Sequence, residues 1–353
     1  MGTESIEASF LSIFALISFF IFLLVSKYSH KIKQGALLDE DFAKPQAFHD
    51  YPVTRSGGIG VIISLSVFFI IYNLLYSKVL YDYIFISYSV FLVGFLDDLK
   101  INIKPFSRLI IMLLLLFLFI YTLPIKILYV DIPFLTSLMS NNMFSSIFVL
   151  LCFLFVINGA NLIDGFNGLL TINLIIINIV LAYINMSNQN LEFSILIISQ
   201  IIILLSFLLF NFPTAKIFFG DSGAYTMGAL TSLNTIITNN LNPKISSFFF
   251  CTLLFYLFFE VFFSFIRKIS QNKSPIYPDN KHLHMLSFYK ISSIYGKNKG
   301  NYLNSIIINF FYLILITPGL YFSHDPQLSK YWFFILLVIY LIIYSRLYRF
   351  TKN

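Results

Sequence analysis

Two adjacent carboxylates, Asp97 and Asp98, end a stretch of apolar residues that begins near residue 80. Neighbouring carboxylates in apolar surroundings repel each other unless a cation or a proton lies between them. The pair therefore indicates either a bound metal ion or a shifted carboxyl pKa. The alternative is a pair of water-exposed acids that only marks the end of a helix.

A second polar group occupies residues 158–168, where Asn158, Asn161 and Asp164 follow one another at three-residue intervals. On a helix this spacing places the three side chains within an arc of roughly 120°. Asn and Asp oxygens suit a hard cation, and Asn amides can also bind a sugar acetamido group or the edge of a base. The alternative is a hydrogen-bonded contact between membrane helices, which is common for Asn.

The 211–223 stretch combines Asn211, Lys216 and a Gly-Asp-Ser-Gly sequence that contains Asp221. A helix is predicted to begin at this sequence, and the free N–H groups at a helix start favour a phosphate. The Asp221 carboxylate would favour the metal ion that accompanies a phosphate, and Lys216 adds a positive charge. As an alternative, Asp221 or Ser222 only caps the helix.

Two histidines, His282 and His284, are spaced so that both lie on one side of an extended segment. Because no cysteine is near and magnesium prefers oxygen ligands, we expect them to contact a phosphate or a leaving group. Histidines without a role are the alternative.

Arg55, preceded by His49, either binds a lipid phosphate or anchors the chain at the membrane. Glu260 is expected to be a protonated or paired buried acid, or part of a pocket wall.

The composition shows which elements must position these side chains. Hydrophobic residues make up 58% of the 353 residues and charged residues only 11%, against roughly 25% charged residues in soluble domains. This excludes a disordered chain, a nucleic-acid-binding module, a secreted disulfide scaffold and an ordinary cytosolic enzyme. What remains is an all-α polytopic membrane protein, with a single integral-membrane domain over residues 1–353.

Apolar stretches near the ~20-residue length of a membrane span recur along the whole chain. Eleven transmembrane helices are predicted, at 8–26, 57–77, 80–96, 107–125, 144–163, 167–186, 192–211, 223–240, 245–266, 303–323 and 330–346. With the N-terminus outside, all but four of the 23 Lys and Arg residues fall in cytoplasmic segments, as the positive-inside rule requires. The C-terminus is then cytoplasmic, and the polar groups described above, except Glu260 inside its span, lie on the cytoplasmic face of the cell (inner) membrane. They can therefore converge on one active site.

The order of these motifs resembles that of the polyprenyl-phosphate N-acetylhexosamine-1-phosphate transferases. That family includes the undecaprenyl-phosphate N-acetylglucosaminyl-1-phosphate transferases, of the glycosyltransferase family 4 type, and the phospho-N-acetylmuramoyl-pentapeptide transferase. The resemblance extends over residues 45–290. It rests on Asp97-Asp98, Asn161-Leu-Ile-Asp164-Gly-Phe-Asn167-Gly168, Asn211 through Gly220-Asp221-Ser-Gly223, and Asp279 through His282-Leu-His284.

The resemblance implies a role for each motif residue. It implies that Asp221 and Asn161 bind Mg²⁺, with Mn²⁺ as the alternative ion. It places the catalytic residues Asp97 and Asp98 at the lipid phosphate. It places the catalytic residues His282 and His284 at the pyrophosphate. Together with the arguments from residue types above, the expected substrate-binding residues are His49, Arg55, Asn161, Asp164, Asn167, Asn211 and Lys216.

The reaction implied by the resemblance moves an N-acetylhexosamine 1-phosphate from a UDP-sugar to undecaprenyl phosphate and releases UMP. N-acetylglucosamine is the first choice of sugar, and a modified N-acetylhexosamine such as N-acetylfucosamine is the second. Met285 stands where many relatives have histidine, and Ala224 stands where serine is usual. Both favour a branch that initiates a surface polysaccharide or O-antigen (lipopolysaccharide) over the peptidoglycan enzyme. The resemblance also suggests a homodimer.

Two other classes of function fit the composition. A secondary transporter or lipid flippase also has about eleven spans, but its polar site lies near the bilayer midplane and internal repeats are frequent. Here the acidic groups lie at the predicted cytoplasmic ends of the spans, and no repeat relates the two halves of the sequence. A non-catalytic subunit of a polysaccharide assembly complex is the third reading, and it would bind a UDP-sugar without releasing UMP.

Overall fold

The computed structural model describes residues 2–31, 37–40, 51–101, 103–123, 125–275 and 279–351, with side chains described from residue 7 onward. Most of these residues are helical. Two short strands, β1 (Leu38–Asp39) and β2 (Val53–Thr54), pair in antiparallel fashion. His49 lies outside the described residues, so its expected role in substrate binding stays a prediction.

The described residues form fourteen α-helices. In chain order they are α1 (Gly2–Tyr28), α2 (Gly57–Tyr76), α3 (Tyr81–Asp98), α4 (Pro105–Thr122), α5 (Pro133–Met139), α6 (Asn142–Ile163), α7 (Leu169–Ser187), α8 (Leu191–Asn211), α9 (Gly220–Leu241), α10 (Ser247–Leu253), α11 (Phe255–Ser270), α12 (Leu283–Tyr295), α13 (Lys297–Tyr321) and α14 (Pro326–Phe350). Each predicted span coincides with one helix, except that the ninth is divided into α10 and α11.

The prediction of an all-α polytopic membrane protein is confirmed, although fewer helices than predicted qualify as spans. Eight of the described helices are long and apolar enough to cross a membrane: α1, α2, α4, α6, α7, α8, α13 and α14. The α10 and α11 pair, bent by 76°, makes a ninth if it counts as one broken span. Helix α3 carries three aspartates, and α9 is rich in Thr, Asn and Gly, so neither qualifies by composition.

Helix α9 nevertheless lies in the middle of the bundle. It packs against α2, α3, α6 and α7, and every side chain from Ser222 to Ile236 is buried. Small residues let the backbones approach closely, since a Cβ added to Gly228 would lie 2.8 Å from the Cβ of Ala160 on α6. Polar side chains inside such a bundle need partners on neighbouring helices, because lipid supplies none.

A ladder of Asn and Thr side chains supplies such partners between α7 and α9. Asn178 Nδ2 donates to Thr231 Oγ1 at 3.1 Å. Two turns further along both helices, Asn185 Nδ2 donates to Thr238 Oγ1 at 2.8 Å. The two pairs have the same spacing on both helices, so they align α7 with α9 over the two turns between them.

Asn234 of α9 connects this ladder to α3 and α8. Its Nδ2 donates to Asn178 Oδ1 at 3.0 Å and to Gln200 Oε1 at 2.8 Å, and its Oδ1 accepts from Tyr83 Oη at 2.8 Å.

We expect Asn234→Ala to lower the free energy of unfolding by about 1–3 kcal/mol, because buried polar groups lose their partner. Thermal unfolding of the purified protein in detergent measures the change. Asn298→Ala, at an exposed position in α13, is the matched control, and equal destabilisation by both variants would contradict the expectation.

Candidate active site

A buried carboxylate from α3 caps the N-terminus of α9. The N-cap residue of α9, Phe219, makes no side-chain hydrogen bond to the helix start. Asp98 takes this role: its Oδ1 accepts from Asp221 N at 2.9 Å, and its Oδ2 accepts from Ser222 N at 3.0 Å and Ser222 Oγ at 2.5 Å. A carboxylate there satisfies free N–H groups and is favoured by the helix dipole. The expectation that these two amides hold a phosphate is therefore wrong, because Asp98 already occupies them.

The cap requires α3 and α9 to approach until their backbones touch. A Cβ added to Gly94 of α3 would lie 2.4 Å from Ser222 N, a separation that real Cβ atoms essentially never show. Gly220 has a φ of 74°, in the left-handed region that glycine adopts at little cost. A Cβ at Gly220 would also lie 2.7 Å from both carboxylate oxygens of Asp98. These two glycines therefore allow Asp98 to reach the start of α9.

Arg108 of α4 bridges two carboxylates from different helices. Its Nη1 lies 2.9 Å from Asp97 Oδ2 and 2.7 Å from Asp221 Oδ2. The guanidinium carbon also lies 5.8 Å from the centre of the Tyr225 ring. Sequence reasoning counted Arg108 only toward the membrane orientation and missed this contact. The available signal was its position, as the single charged residue in the first turn of an otherwise apolar helix.

Asp164, expected to bind substrate, is electrostatically coupled to the same acids. Helix α6 ends at Ile163, so Asp164 is the C-cap residue and Asn161 lies in the last turn. Burial raises the pKa of the Asp164 carboxyl well above its ordinary value, and the charges of Asp221 and Asp98 raise it further. Contacts therefore join Asp97, Asp98 and Asp221 in one group, and Asp164 lies close enough to feel the charges of Asp98 and Asp221.

Three other expected substrate residues are the last residue of α8, Asn211, and two loop residues, Asn167 and Lys216. Asn211 Oδ1 accepts from Gly168 N at 2.7 Å, and its Nδ2 donates to the backbone of the following loop at 3.0 Å. Asn167 Nδ2 donates to Pro213 O at 2.9 Å. Lys216, in the same loop as Pro213, is exposed. The two asparagines fix the loop conformation in this structure, and contacts of all three residues with substrate stay predictions.

Arg55, directly before α2, contributes a positive charge beside the aspartates. Its Nε and Nη2 donate to Asp39 Oδ2 at 3.0 Å and 2.7 Å. Burial by itself would lower the pKa of Arg55, but Asp39 raises it, and the charges of Asp221 and Asp98 raise it further. The net pKa lies above the ordinary value of arginine, so Arg55 remains a permanent cation near these acids.

His282 belongs to a second, largely buried group of titratable side chains. Its Nδ1 lies 3.1 Å from Glu260 Oε1, and its Nε2 lies 3.3 Å from Asp279 Oδ1. Arg267 holds Asp279 with Nη1 at 2.7 Å and Nη2 at 3.2 Å. Burial alone would raise the pKa of the Asp279 carboxyl, but the Arg267 hydrogen bonds and the nearby positive charges lower it below its ordinary value. Glu260 also accepts from Tyr340 Oη at 2.6 Å, so it is the paired buried acid among the expected alternatives.

His284 packs beside His282, with ring centres 5.5 Å apart and ring planes within 5°. It lies in the first turn of α12 and not in an extended segment as expected, whereas His282 has extended backbone at the N-cap. Tyr256 Oη lies 3.3 Å from its Nδ1, and its Nε2 is buried without a hydrogen-bond partner among the described residues. The ring also meets Phe166 edge-on at 5.9 Å. His284 therefore adjoins the turn that contains Asp164, and His282 packs against His284.

Asp97 and Asp221 are the side chains best placed for a divalent cation. Among the residues with described side chains, no group of three or more His, Cys, Asp and Glu is arranged to hold a metal ion. These two carboxylates nevertheless converge on one cationic nitrogen of Arg108, so they are positioned to share a positive charge. Magnesium in phosphate chemistry commonly takes one or two carboxylates and completes its shell with phosphates and water. The donor set fits that ion, and metal contact by Asn161 stays a prediction.

The fold and site together define a multi-pass membrane protein with clustered carboxylates at one end of its helices. The sequence model of glycosyl transferase family 4 matches residues 80–239, a range that includes all four aspartates. The chain is 26% identical over 326 residues to an undecaprenyl-phosphate alpha-N-acetylglucosaminyl 1-phosphate transferase of Thermotoga maritima, and the match covers 92% of each chain.

Two further relatives show the same relationship. A phospho-N-acetylmuramoyl-pentapeptide-transferase of Streptococcus sanguinis is 30% identical over 231 residues, which are 60% of this chain and 67% of the relative. A probable undecaprenyl-phosphate N-acetylglucosaminyl 1-phosphate transferase of Bacillus subtilis is 28% identical over 258 residues, 72% of this chain and 70% of the relative. The chain belongs to the polyprenyl-phosphate hexosamine-1-phosphate transferases of glycosyl transferase family 4, which confirms the resemblance seen in its motifs.

Proposed function

We propose that this protein transfers N-acetylhexosamine 1-phosphate from a UDP-sugar to undecaprenyl phosphate and releases UMP. The observation that carries the proposal is a convergence at one end of the bundle. Asp97 and Asp98 meet Asp221 there, from a helix far away in the sequence but packed against theirs, and Arg108 contacts two of the three acids. The relatives from T. maritima and B. subtilis are N-acetylglucosaminyl 1-phosphate transferases by name. Their names favour UDP-N-acetylglucosamine as the donor.

The position of the acids suits a reaction between a lipid and a water-soluble donor. The isoprenoid tail of the acceptor lies in the bilayer, so its phosphate must react at the membrane surface. Asp97 and Asp98 end α3, and Asp221 lies in the first turn of α9, so all three lie at helix ends. We place this end at the cytoplasmic face because it carries most of the Lys and Arg residues. The product suits the first membrane step of a surface polysaccharide or O-antigen pathway.

Phosphoryl transfer requires positioning and neutralisation of charge more than covalent catalysis. An oxygen of the lipid phosphate forms a bond to the β-phosphorus of the UDP-sugar. The bond between that phosphorus and the bridging oxygen breaks, and UMP leaves with the electron pair. Asp97 accepts the last proton of the lipid phosphate, while Lys216 and Arg55 add positive charge near the donor. When bound between Asp97 and Asp221, Mg²⁺ would neutralise charge on the pyrophosphate.

The two adjacent aspartates have different roles in this proposal. Asp98 is 1% exposed, and both of its oxygens accept hydrogen bonds from the start of α9. We therefore assign Asp98 to positioning Asp221. The Asp97 side chain is 27% exposed, so it is the one that a lipid phosphate can reach. Direct attack by the lipid phosphate is favoured over an aspartyl-phosphate intermediate, which would support UMP exchange without the lipid acceptor.

The histidines are assigned a positioning role. His282 and His284 are 2% and 0% exposed, and the ring of His284 contacts Phe166 in the turn that follows Asp164. Because neither ring reaches the surface, we propose that the pair holds this turn in place. Direct contact between the histidines and the pyrophosphate stays a prediction.

A transporter or flippase is disfavoured by the placement of the polar side chains. Transporters place their substrate site near the bilayer midplane, on broken helices. The polar residues in the middle of this bundle, such as Asn178 and Asn234, are hydrogen-bonded to side chains of neighbouring helices. The four aspartates of the site and Arg108 lie instead at helix ends, where a lipid phosphate and a soluble donor meet.

The experiment that tests the proposal is a donor panel with the purified protein, undecaprenyl phosphate and Mg²⁺. UDP-N-acetylglucosamine, UDP-N-acetylgalactosamine, UDP-N-acetylfucosamine and UDP-glucose are supplied in turn, and UMP and the mass of the lipid product are measured. We expect UMP and a lipid diphosphate sugar with N-acetylglucosamine, and neither with UDP-glucose, which lacks the acetamido group. Binding of a UDP-sugar without UMP or lipid product would support the non-catalytic subunit instead.

A further inference from the structure

The contact between Arg108 and its two carboxylates has an unusual geometry for arginine. Arginine commonly engages one carboxylate with two nitrogens, as Arg267 does with Asp279. In contrast, the single nitrogen Nη1 of Arg108 lies 2.9 Å from an oxygen of Asp97 and 2.7 Å from an oxygen of Asp221. One positive atom between carboxylates of two separate helices is the arrangement that a metal ion adopts.

We propose that Arg108 and a divalent cation occupy the same position between Asp97 and Asp221 and therefore exclude each other. This inference rests on the proposed function, because it takes the cation to be the ion of the transfer reaction. Asp97 Oδ2 and Asp221 Oδ2 already contact Nη1 of Arg108. An ion cannot bind these two oxygens together until that nitrogen moves away. Arg108 thus stabilises the acidic pair in the metal-free protein, and metal entry has to displace it.

The surroundings of Arg108 permit this displacement. Its side chain is 23% exposed, so the guanidinium has access to water on at least one side. The ring of Tyr225 lies 5.8 Å from the guanidinium carbon and offers an aromatic face that interacts favourably with a cation. Helix α4 need not move, because the long arginine side chain has several rotatable bonds. Metal entry therefore costs the two ion pairs of Arg108 but does not require refolding.

The test is a Mn²⁺ titration of the full chain purified in detergent, with free Mn²⁺ measured by electron paramagnetic resonance in the absence of substrates. We expect Arg108→Gln to lower the Mn²⁺ dissociation constant by about tenfold, since charge-assisted hydrogen bonds no longer oppose the ion. Arg108→Lys keeps a positive charge but lacks the guanidinium, and we expect it to bind Mn²⁺ about threefold more tightly than the unchanged protein. The Lys variant carries the test if the Gln variant does not fold.

Lys104→Gln is the matched control, because it removes one positive charge one turn earlier in the chain, at the N-cap of α4. We expect it to leave the Mn²⁺ affinity unchanged. Equal tightening by Lys104→Gln and Arg108→Gln would overturn the proposal, because it would show a general effect of net charge. Unchanged or weaker Mn²⁺ binding by the Arg108 variants, or no binding by any protein in the series, would overturn it as well.

This inference and the proposed function fail in different ways. Absence of UMP with every donor of the panel would remove the proposed function, whatever the Mn²⁺ affinities are. UMP release by the unchanged protein, together with no tighter Mn²⁺ binding by the folded Arg108 variants, would remove only the competition between Arg108 and the ion.

Discussion

Asp221→Asn is expected to lower the rate of UMP release by about 10³-fold or more. The substitution preserves the shape of the side chain but removes one of the two negative charges that Arg108 bridges. A divalent cation then loses one of its two carboxylates. The backbone N–H of residue 221 still donates to Asp98, so α9 should begin at the same place. UMP release by the purified variant, with Mg²⁺, UDP-N-acetylglucosamine and undecaprenyl phosphate, measures the effect.

Asp82→Asn is the control for this substitution. Asp82 lies in the first turn of α3, at the end of that helix opposite to Asp97, and its Oδ1 accepts from Tyr83 N. The same chemical change there should leave UMP release within about twofold of the unchanged protein. Near-normal turnover by Asp221→Asn would contradict the assignment of Asp221 to a metal ion.

Gly94→Ala is expected to lower UMP release by about 100-fold although it changes no charged residue. The added Cβ would lie 2.4 Å from Ser222 N and 2.5 Å from the carbonyl carbon of Asp221. Helices α3 and α9 therefore have to separate, Asp98 loses contact with the start of α9, and Asp221 moves away from Asp97. Overpacking of this kind also costs about 1–3 kcal/mol of stability. Thermal unfolding in detergent and UMP release should both reveal the change.

Gly165→Ala shows whether any added methyl group has this effect. Gly165 lies next to Asp164, but a Cβ at this position would meet nothing within 4 Å. We expect nearly unchanged stability and turnover. Full activity and stability of Gly94→Ala would show that the close approach of α3 and α9 is not needed for the site.

The gathering of the aspartates could be predicted from sequence, but the role of each carboxylate could not. Residue types and membrane spans were enough to place Asp97, Asp98, Asp164 and Asp221 at one end of the bundle. Successive residues on a helix point about 100° apart, so the two acids of an adjacent pair have different surroundings. Asp98 faces the start of α9, and Asp97 faces Arg108. Only the packing of α3 against its neighbours distinguishes them.

Arg108 and the asparagine ladder illustrate two different limits of sequence reasoning. A lone arginine at the start of an apolar helix satisfies the positive-inside rule without any further role, and Asp221 lies 113 positions away. Nothing local pointed to their contact. The ladder did leave a signal in the sequence, because the spacing from Asn178 to Asn185 equals the spacing from Thr231 to Thr238. Each asparagine is therefore 53 positions from the threonine to which it donates. Matching polar positions on two helices are a signal that the apolar character of each span, taken alone, does not contain.

The polarity of α9 has a consequence for how the protein is made. This helix does not meet the requirements for crossing a bilayer by itself, yet it carries Asp221 in its first turn and is enclosed by other helices. Its four main neighbours, α2, α3, α6 and α7, all precede it in the chain, so the ribosome delivers them to the membrane first. They form the polar lining that lets α9 leave water without losing its hydrogen bonds. The reactive centre is therefore completed late in biogenesis, and a nascent chain that stops before α9 has no functional site to expose.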